Sequence, residues 1–134
     1  MLQEGQTYEQ SFSFSQSDVD TFAQISGDKN PIHIDAEYAA NTPYKRPIIH
    51  GFLGGSIISK ILGMDFPGEG TVYLKQEMSF RKPMFVDTPY KAVITVEEVS
   101  RTRHIATLKT AIVNEETGKP VLTGKAQVMH AEKI

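Results

Sequence analysis

The stretch HGFLGGSIISKILGM, residues 50–64, decides the fold of this 134-residue chain. Its apolar residues recur every three or four positions, which predicts an amphipathic helix with a stripe formed by Leu53, Ile57, Ile58, Ile61 and Leu62. Gly51, Gly55 and Ser59 share one helix face, at i, i+4 and i+8. Because glycine is costly inside a helix, we expect a neighbouring element to approach this face closely.

Four segments of alternating polarity follow the helix and predict four consecutive strands: residues 72–81, 92–99, 105–113 and 121–130. In the first strand the expected inward set consists of Val72, Leu74, Gln76, Met78 and Phe80, with Gln76 as its one polar member. A long apolar helix followed by a run of strands predicts an α+β fold with an antiparallel sheet.

The segment before the helix predicts one more strand and several short elements. Residues 8–14 alternate like a strand. Ser15 and Asp18 have the spacing of a capping box, and they predict a helix that ends near Gly27. A turn is expected over residues 27–33, because a proline disfavours the helical conformation in the residue before it.

The composition is that of an ordinary globular protein, with 40% hydrophobic and 22% charged residues, and the length predicts a single domain over residues 1–134. A net charge of −2 argues against a nucleic-acid partner and against a polybasic membrane anchor. The absence of cysteine excludes disulfides and thiol nucleophiles. No secretory signal or membrane-spanning stretch is recognisable, so we expect a soluble, cytoplasmic protein.

Reactive side chains are concentrated in one segment. Asp28, Asn30, His33 and Asp35 lie within eight residues, and His50 follows after a loop. A carboxylate and a histidine held across a Gly/Pro turn can form a general acid–base pair over one cavity. Pattern alone leaves alternatives: aspartate in a turn often only binds the backbone, and Asp28, His33, Asp35 and His50 could instead ligate a metal.

The stretch FAQISGDKNPIHIDAEYAANTPYKRPIIHGFLGGSIISKILG, residues 22–63, closely resembles the hydratase motif of the MaoC-like (R)-specific enoyl-CoA hydratases. The core of the resemblance is GD-x-NPIH-x-D, at residues 27–35, followed by RPI-x-HG, at residues 46–51. The likeness extends from about residue 12 to residue 99, and the later strands match loosely. One departure is VDTPY after Phe85, where many family members have a Gly-Asp turn.

The resemblance implies a hot dog fold, in which an antiparallel sheet wraps one long helix, here His50–Met64. It implies a lyase of fatty acid metabolism that hydrates trans-2-enoyl thioesters to (R)-3-hydroxyacyl products, or catalyses the reverse dehydration. The acyl group would be carried by CoA or acyl carrier protein, with no other cofactor and no metal. The family also implies a homodimer with active sites near the dimer interface.

The same resemblance implies roles for particular residues. Asp28 and His33 would be the catalytic pair, and the Gly51 N–H would polarise the thioester carbonyl. Asn30 would orient water or fix the loop, and Ser59 would line the site, although a serine there could equally be a helix-packing residue. His50 is expected to hold the loop or helix start, Asp35 to cap the helix over residues 35–41, and Arg46 to be a solvated loop charge.

Two other functions fit the same fold. A hot dog thioesterase would be expected to carry a carboxylate on or near the long helix, and residues 51–64 contain neither Asp nor Glu. A non-catalytic acyl-thioester-binding subunit would be expected to lack Asp28 or His33, and both are present. The sequence leaves open the acyl chain length, for which Tyr38, Tyr44, Phe66 and Tyr73 are candidate determinants.

Overall fold

The computed structural model describes all residues from Met1 to Ile134. Five strands and four helices make up the chain, in the order β1 Thr7–Phe12, α1 Gln16–Ser26, α2 Pro31–Ile34, α3 Ala36–Ala40, α4 Gly51–Met64, β2 Val72–Phe80, β3 Tyr90–Ser100, β4 Ile105–Asn114 and β5 Pro120–Met129. The long helix and the four strands after it confirm the elements predicted from periodicity.

The five strands form one antiparallel sheet in the order β1-β3-β4-β5-β2. Apart from Tyr90, the inward residues of β3, β4 and β5 are small or branched, and they form one core with the apolar stripe of α4, in which Ile58 and Ile61 are fully buried. The sheet therefore wraps the central helix, as expected of a hot dog fold. None of the helices has the length and apolar character needed to cross a membrane.

The first helix has the predicted ends. Ser15 Oγ accepts a hydrogen bond from the Asp18 N–H at 3.1 Å, and the Asp18 carboxylate accepts one from the Ser15 N–H at 2.9 Å. Gly27 closes the helix with φ 78°, in the left-handed region where glycine carries no Cβ penalty. These two ends determine where the chain enters the reactive segment.

The prediction of a turn over residues 27–33 is only partly right. Residues 28–30 are irregular, but residues 31–34 form the short helix α2. Pro31 occupies its first turn, where the fixed φ of proline suits a helix, and Asn30 Oδ1 accepts a hydrogen bond from the Ile32 N–H at 3.3 Å. The rule that proline disfavours helix applies to the residue before it, so the helix starts at Pro31 instead of ending there.

The predicted inward face of β2 is wrong at its beginning. A bulge at Leu74 lies between the pairs Tyr73↔Val128 and Lys75↔Gln127. Because one extra residue reverses the alternation, Tyr73 shares a face with Gln76 and donates a hydrogen bond to Gln76 Oε1. Val72 and Leu74 are consequently 51% and 43% exposed.

The glycine face of α4 is closely approached, as predicted. A Cβ at Gly51 would lie 2.6 Å from Phe80 Cε1, and one at Gly55 would lie 2.9 Å from Met78 Sδ. Met78 belongs to β2, so the small residues of the helix allow the edge of the sheet to lie against it. The helix is thereby held next to the reactive segment.

Candidate active site

A cavity of about 500 Å³ opens at the N-terminal end of α4. Its wall combines the second half of α1, the segment from Asp28 into α2, the loop leading to α4, residues 80–84 at the end of β2 and beyond it, and the start of β5. Asp28, His33 and Gly51 all line this cavity, together with His50. Three residues that the motif separates along the chain are therefore brought together in space.

His33 is held in one tautomer by the main chain. Its side chain is 9% exposed, and Nδ1 lies 2.8 Å from the carbonyl oxygen of Ile48. Since a carbonyl can only accept, Nδ1 carries the proton of the neutral ring and donates it. Nε2 is then left with a free lone pair, which is the state required of a general base.

Asp28 lies at the start of the segment between α1 and α2 and is exposed. Its Oδ1 accepts a hydrogen bond from the Asn30 N–H at 3.2 Å, so the side chain does close a turn. That single bond leaves the carboxylate with further acceptor capacity. The turn-capping alternative and a role in the cavity are thus compatible for this residue.

His50 contacts both predicted catalytic residues. Its ring stacks on that of His33 with centroids 3.9 Å apart and 27° between the planes, and its Nε2 lies 2.9 Å from the Asp28 carbonyl oxygen. These contacts hold the loop, as predicted. It occupies the N-cap position of α4 but makes no side-chain cap bond.

The structure brings together three of the four residues that were considered as metal ligands. Candidate ligand atoms of Asp28, His33 and His50 lie within 4.8 Å of one another, whereas Asp35 instead accepts a hydrogen bond from the Tyr38 N–H at 3.0 Å and caps α3. A metal ion should lie near the plane of each imidazole ligand. The planes of His33 and His50 are stacked, so their lone pairs do not converge well, and the geometry favours proton transfer.

The first turn of α4 presents free donors to the cavity. The N–H groups of Gly51 and Phe52 have no acceptor within the helix, and the helix dipole places partial positive charge there. Phe80 packs directly on Gly51, at the position where a Cβ would otherwise project. The arrangement offers hydrogen-bond donors to an oxygen that gains negative charge.

Asn30 and Ser59 do not line the cavity of Asp28 and His33. Asn30 caps α2 through its side chain and bonds Asp28 through its N–H, contacts that correspond to its loop-fixing alternative. Ser59 is exposed in a second groove of about 360 Å³, between α4 and β2. Phe52 lines both spaces, so the two adjoin along the glycine face of the helix.

Among the aromatic residues suggested to determine the pocket, Tyr44 lines the cavity and Tyr73 lines the second groove. Burial raises the pKa of Tyr73 to about 12. Tyr38 is 51% exposed, and Phe66 stacks on Tyr8 at 5.5 Å. Neither of these two lines the cavity or the groove.

Sequence reasoning missed several residues of the cavity wall, namely Phe22, Ser26, Phe80, Arg81, Lys82, Met84 and Leu122. Phe80 is the last residue of β2, and Arg81 and Lys82 come directly after it. Nothing in the spacing of these residues indicates that this end of the strand reaches α4. The guanidinium of Arg46, by contrast, lies 4.0 Å from the centre of the Phe85 ring, outside the cavity wall.

Comparison with known proteins identifies relatives that match most of the chain. The family model described as a MaoC-like domain matches residues 1–128. The (R)-specific enoyl-CoA hydratase of Aeromonas caviae is 40% identical over 127 residues, 95% of this chain and 94% of the relative. The 3-hydroxybutyryl-CoA dehydratase of Methylorubrum extorquens is 39% identical over 120 residues, 89% and 74% of the two chains.

A solved structure is similar over nearly the whole chain. The (R)-hydratase from A. caviae involved in PHA biosynthesis superposes with a TM-score of 0.92 at 40% identity, over 96% of this chain and 97% of that one. The motif at residues 27–51 and the sheet that wraps α4 thus occur together, and this chain belongs to the family of MaoC-like domains.

Proposed function

We propose that this chain is a hydro-lyase that adds water to trans-2-enoyl-CoA to form (R)-3-hydroxyacyl-CoA, and that it catalyses the reverse dehydration. The observation that carries the proposal is that Asp28 and His33 share one cavity beside the N-terminus of α4. Relatives of 40% and 39% identity are named as an (R)-specific enoyl-CoA hydratase and a 3-hydroxybutyryl-CoA dehydratase, which supports the reaction class.

Hydration needs one group to take a proton from water and one to deliver a proton to carbon. A water held between the Asp28 carboxylate and His33 Nε2 loses a proton to the pair while its oxygen bonds to the β-carbon. The electrons of the double bond move toward the α-carbon, which receives a proton from the same pair. We describe the two residues as one coupled unit, because closely interacting groups titrate and transfer protons together.

The negative charge that develops during addition falls on the thioester oxygen. The N–H of Gly51, at the first turn of α4, is the proposed donor to that oxygen. Fixed donors stabilise the enolate without reorganising during the reaction. Acid, base and electrostatic stabilisation then all come from the chain, and we propose that no cofactor is needed apart from the carrier of the acyl group.

The two adjoining spaces indicate how a substrate could lie. We propose that the acyl chain runs from Gly51 along the glycine face of α4 toward Ser59 and Tyr73 in the second groove. Arg81 and Lys82 are the cations of the cavity wall, and they are available to the phosphate groups of CoA or of acyl carrier protein.

A thioesterase is the less favoured alternative. Its water would need a carboxylate on or near the long helix, and α4 carries none between Gly51 and Met64. A purely binding subunit would not need a histidine with a fixed tautomer beside a carboxylate.

The direct test follows the loss of the enoyl-thioester absorbance of crotonyl-CoA, with chiral analysis of the product. Asp28→Asn keeps the shape of the side chain, and His33→Asn keeps a donor in place of Nδ1 while removing Nε2. Each change should lower the rate at least about 10²-fold. Asp35→Asn is the matched control, since asparagine also caps helices and position 35 lies outside the cavity wall. Free thiol without 3-hydroxyacyl product would indicate a thioesterase instead.

We also propose that the protein acts as a homodimer. β2 forms one edge of the sheet and exposes Val72 and Leu74, and apolar side chains on an open edge favour pairing with a second chain. Sedimentation velocity should give a dimer, and Val72→Lys should shift it toward monomer. A wild-type monomer at micromolar concentration would contradict the proposed dimer.

We also propose the cytoplasm as the compartment of this protein, on the ground of its thioester substrates. Cell fractionation would test this proposal.

A further inference from the structure

His50 is a buried titratable residue that the proposed mechanism does not use. Its side chain is 2% exposed. Its Nδ1 is the only buried side-chain nitrogen or oxygen in the chain that has no hydrogen-bond partner. Burying a polar atom without a partner is unfavourable, so the ring needs a compensating reason to be here.

The contacts of the ring indicate that reason. Nε2 lies 2.9 Å from the main-chain oxygen of Asp28, and since a carbonyl only accepts, Nε2 donates the proton. The neutral ring is thereby held in the tautomer with its lone pair on Nδ1. The side chain of a leucine or phenylalanine could fill the same space but could not make this bond.

The same ring contacts the other member of the pair. It stacks on His33 at 3.9 Å, and Phe22 lies against it with centroids 4.8 Å apart. His33 is meanwhile bound through Nδ1 to the carbonyl of Ile48, two residues before His50. The His50 side chain thus constrains both the position of the main chain at Asp28 and the orientation of the His33 ring.

We infer that His50 is a positioning residue for hydration, which holds the Asp28 carboxylate and the His33 ring in register with each other. The inference rests on the proposed hydratase function and adds a third residue to it. His50 takes no proton from the substrate in this role. Its loss lets the Asp28 loop and the His33 ring move independently, and an error of about 1 Å in such a pair costs about 10²-fold in rate.

Two substitutions separate the hydrogen bond from the packing. His50→Gln places an amide nitrogen the same number of bonds from Cβ as Nε2 and retains a donor to Asp28. His50→Phe keeps an aromatic ring and loses the donor. His130→Phe is the control: His130 is 5% exposed, and its Nε2 lies 2.8 Å from the Glu69 carbonyl, outside the cavity wall.

With crotonyl-CoA, we expect kcat of His50→Phe to fall about 10²-fold while KM stays within about threefold of wild type. His50→Gln should recover most of that loss, and His130→Phe should lower the melting temperature without lowering kcat. A kcat of His50→Phe within about threefold of wild type, or an equal loss in His130→Phe, would overturn the inference.

Nitrogen NMR of the histidine rings provides a reading that does not depend on turnover. The wild type should show His33 protonated at Nδ1 and His50 protonated at Nε2, and His50→Phe, unlike His130→Phe, should shift the His33 signals. If the wild type is inactive and these shifts appear, the proposed function fails, and what remains is that His50 orients the His33 ring without serving hydration. Unshifted His33 signals in His50→Phe refute the positioning role itself.

Discussion

Replacing Gly51 by alanine should impair catalysis while leaving the fold intact. The added Cβ would lie 2.6 Å from Cε1, 2.9 Å from Cδ1 and 3.1 Å from Cζ of Phe80. Carbon atoms in contact prefer about 3.5–4.0 Å, so the ring must retreat by about 1 Å. Phe80 is 54% exposed and can turn toward solvent. Alanine at this first helical position also gains at most about 1 kcal/mol of helix propensity over glycine, so the net change in unfolding free energy should be small.

The catalytic effect should be larger, because the methyl group lies beside the N–H that the thioester oxygen is proposed to use. A displacement of the substrate carbonyl of about 1 Å predicts a loss of about 10²-fold in kcat/KM. Crotonyl-CoA hydration and thermal unfolding would be measured on the same preparation.

Gly63→Ala is the matched control in the same helix, since a Cβ there meets nothing within 4 Å. It should raise the melting temperature and leave kcat/KM unchanged. The reasoning fails if Gly51→Ala retains kcat/KM within about threefold of wild type at an unchanged melting temperature.

Two further predictions concern the edge of the sheet. Gly124→Ala would drive a Cβ into the main-chain oxygen of Glu77. Because β2 cannot move this oxygen away without breaking its pairing with β5, we expect a loss of about 3 kcal/mol or more in urea unfolding. An undiminished stability would contradict this register. Burial raises the pKa of Tyr73 from 10.0 to about 12, so the Tyr73 phenol ionises at a lower pH in the unfolded chain than in the folded protein. The free energy of unfolding of the wild type should therefore fall as pH rises from 10.0 to about 12. Tyr73→Phe should lose less stability over that interval, and an identical decline in both proteins would exclude this origin.

Local rules predicted local structure well. The capping box at Ser15 and Asp18, the left-handed end at Gly27 and the apolar stripe of α4 depend on neighbours within four residues, and each is present. The four late strands were predicted equally well, because alternation along a strand reflects the two faces of a sheet. The failures have local reasons too: Pro31 starts a helix, and one extra residue at Leu74 reverses the faces of β2.

The predicted pair Asp28 and His33 came from a short motif, and the structure places both on one cavity with Gly51. Ser59 lies on the same helix face as Gly51 but in the adjoining groove, because eight residues of helix separate the two by about 12 Å along the axis. Phe80, Arg81 and Lys82 were missed, since their approach to α4 depends on where β2 ends.

The sequence by itself determined the family and the central helix, and it supplied the proposed acid–base pair, because these are encoded in contiguous residues and fixed periods. Only the tertiary structure decided what surrounds the pair: the tautomer of His33 set by the Ile48 carbonyl, the ring of His50 in contact with both members, and the phenylalanine lying on Gly51. Those contacts join segments up to about thirty residues apart, and they follow from how the sheet wraps the helix, which no local pattern specifies.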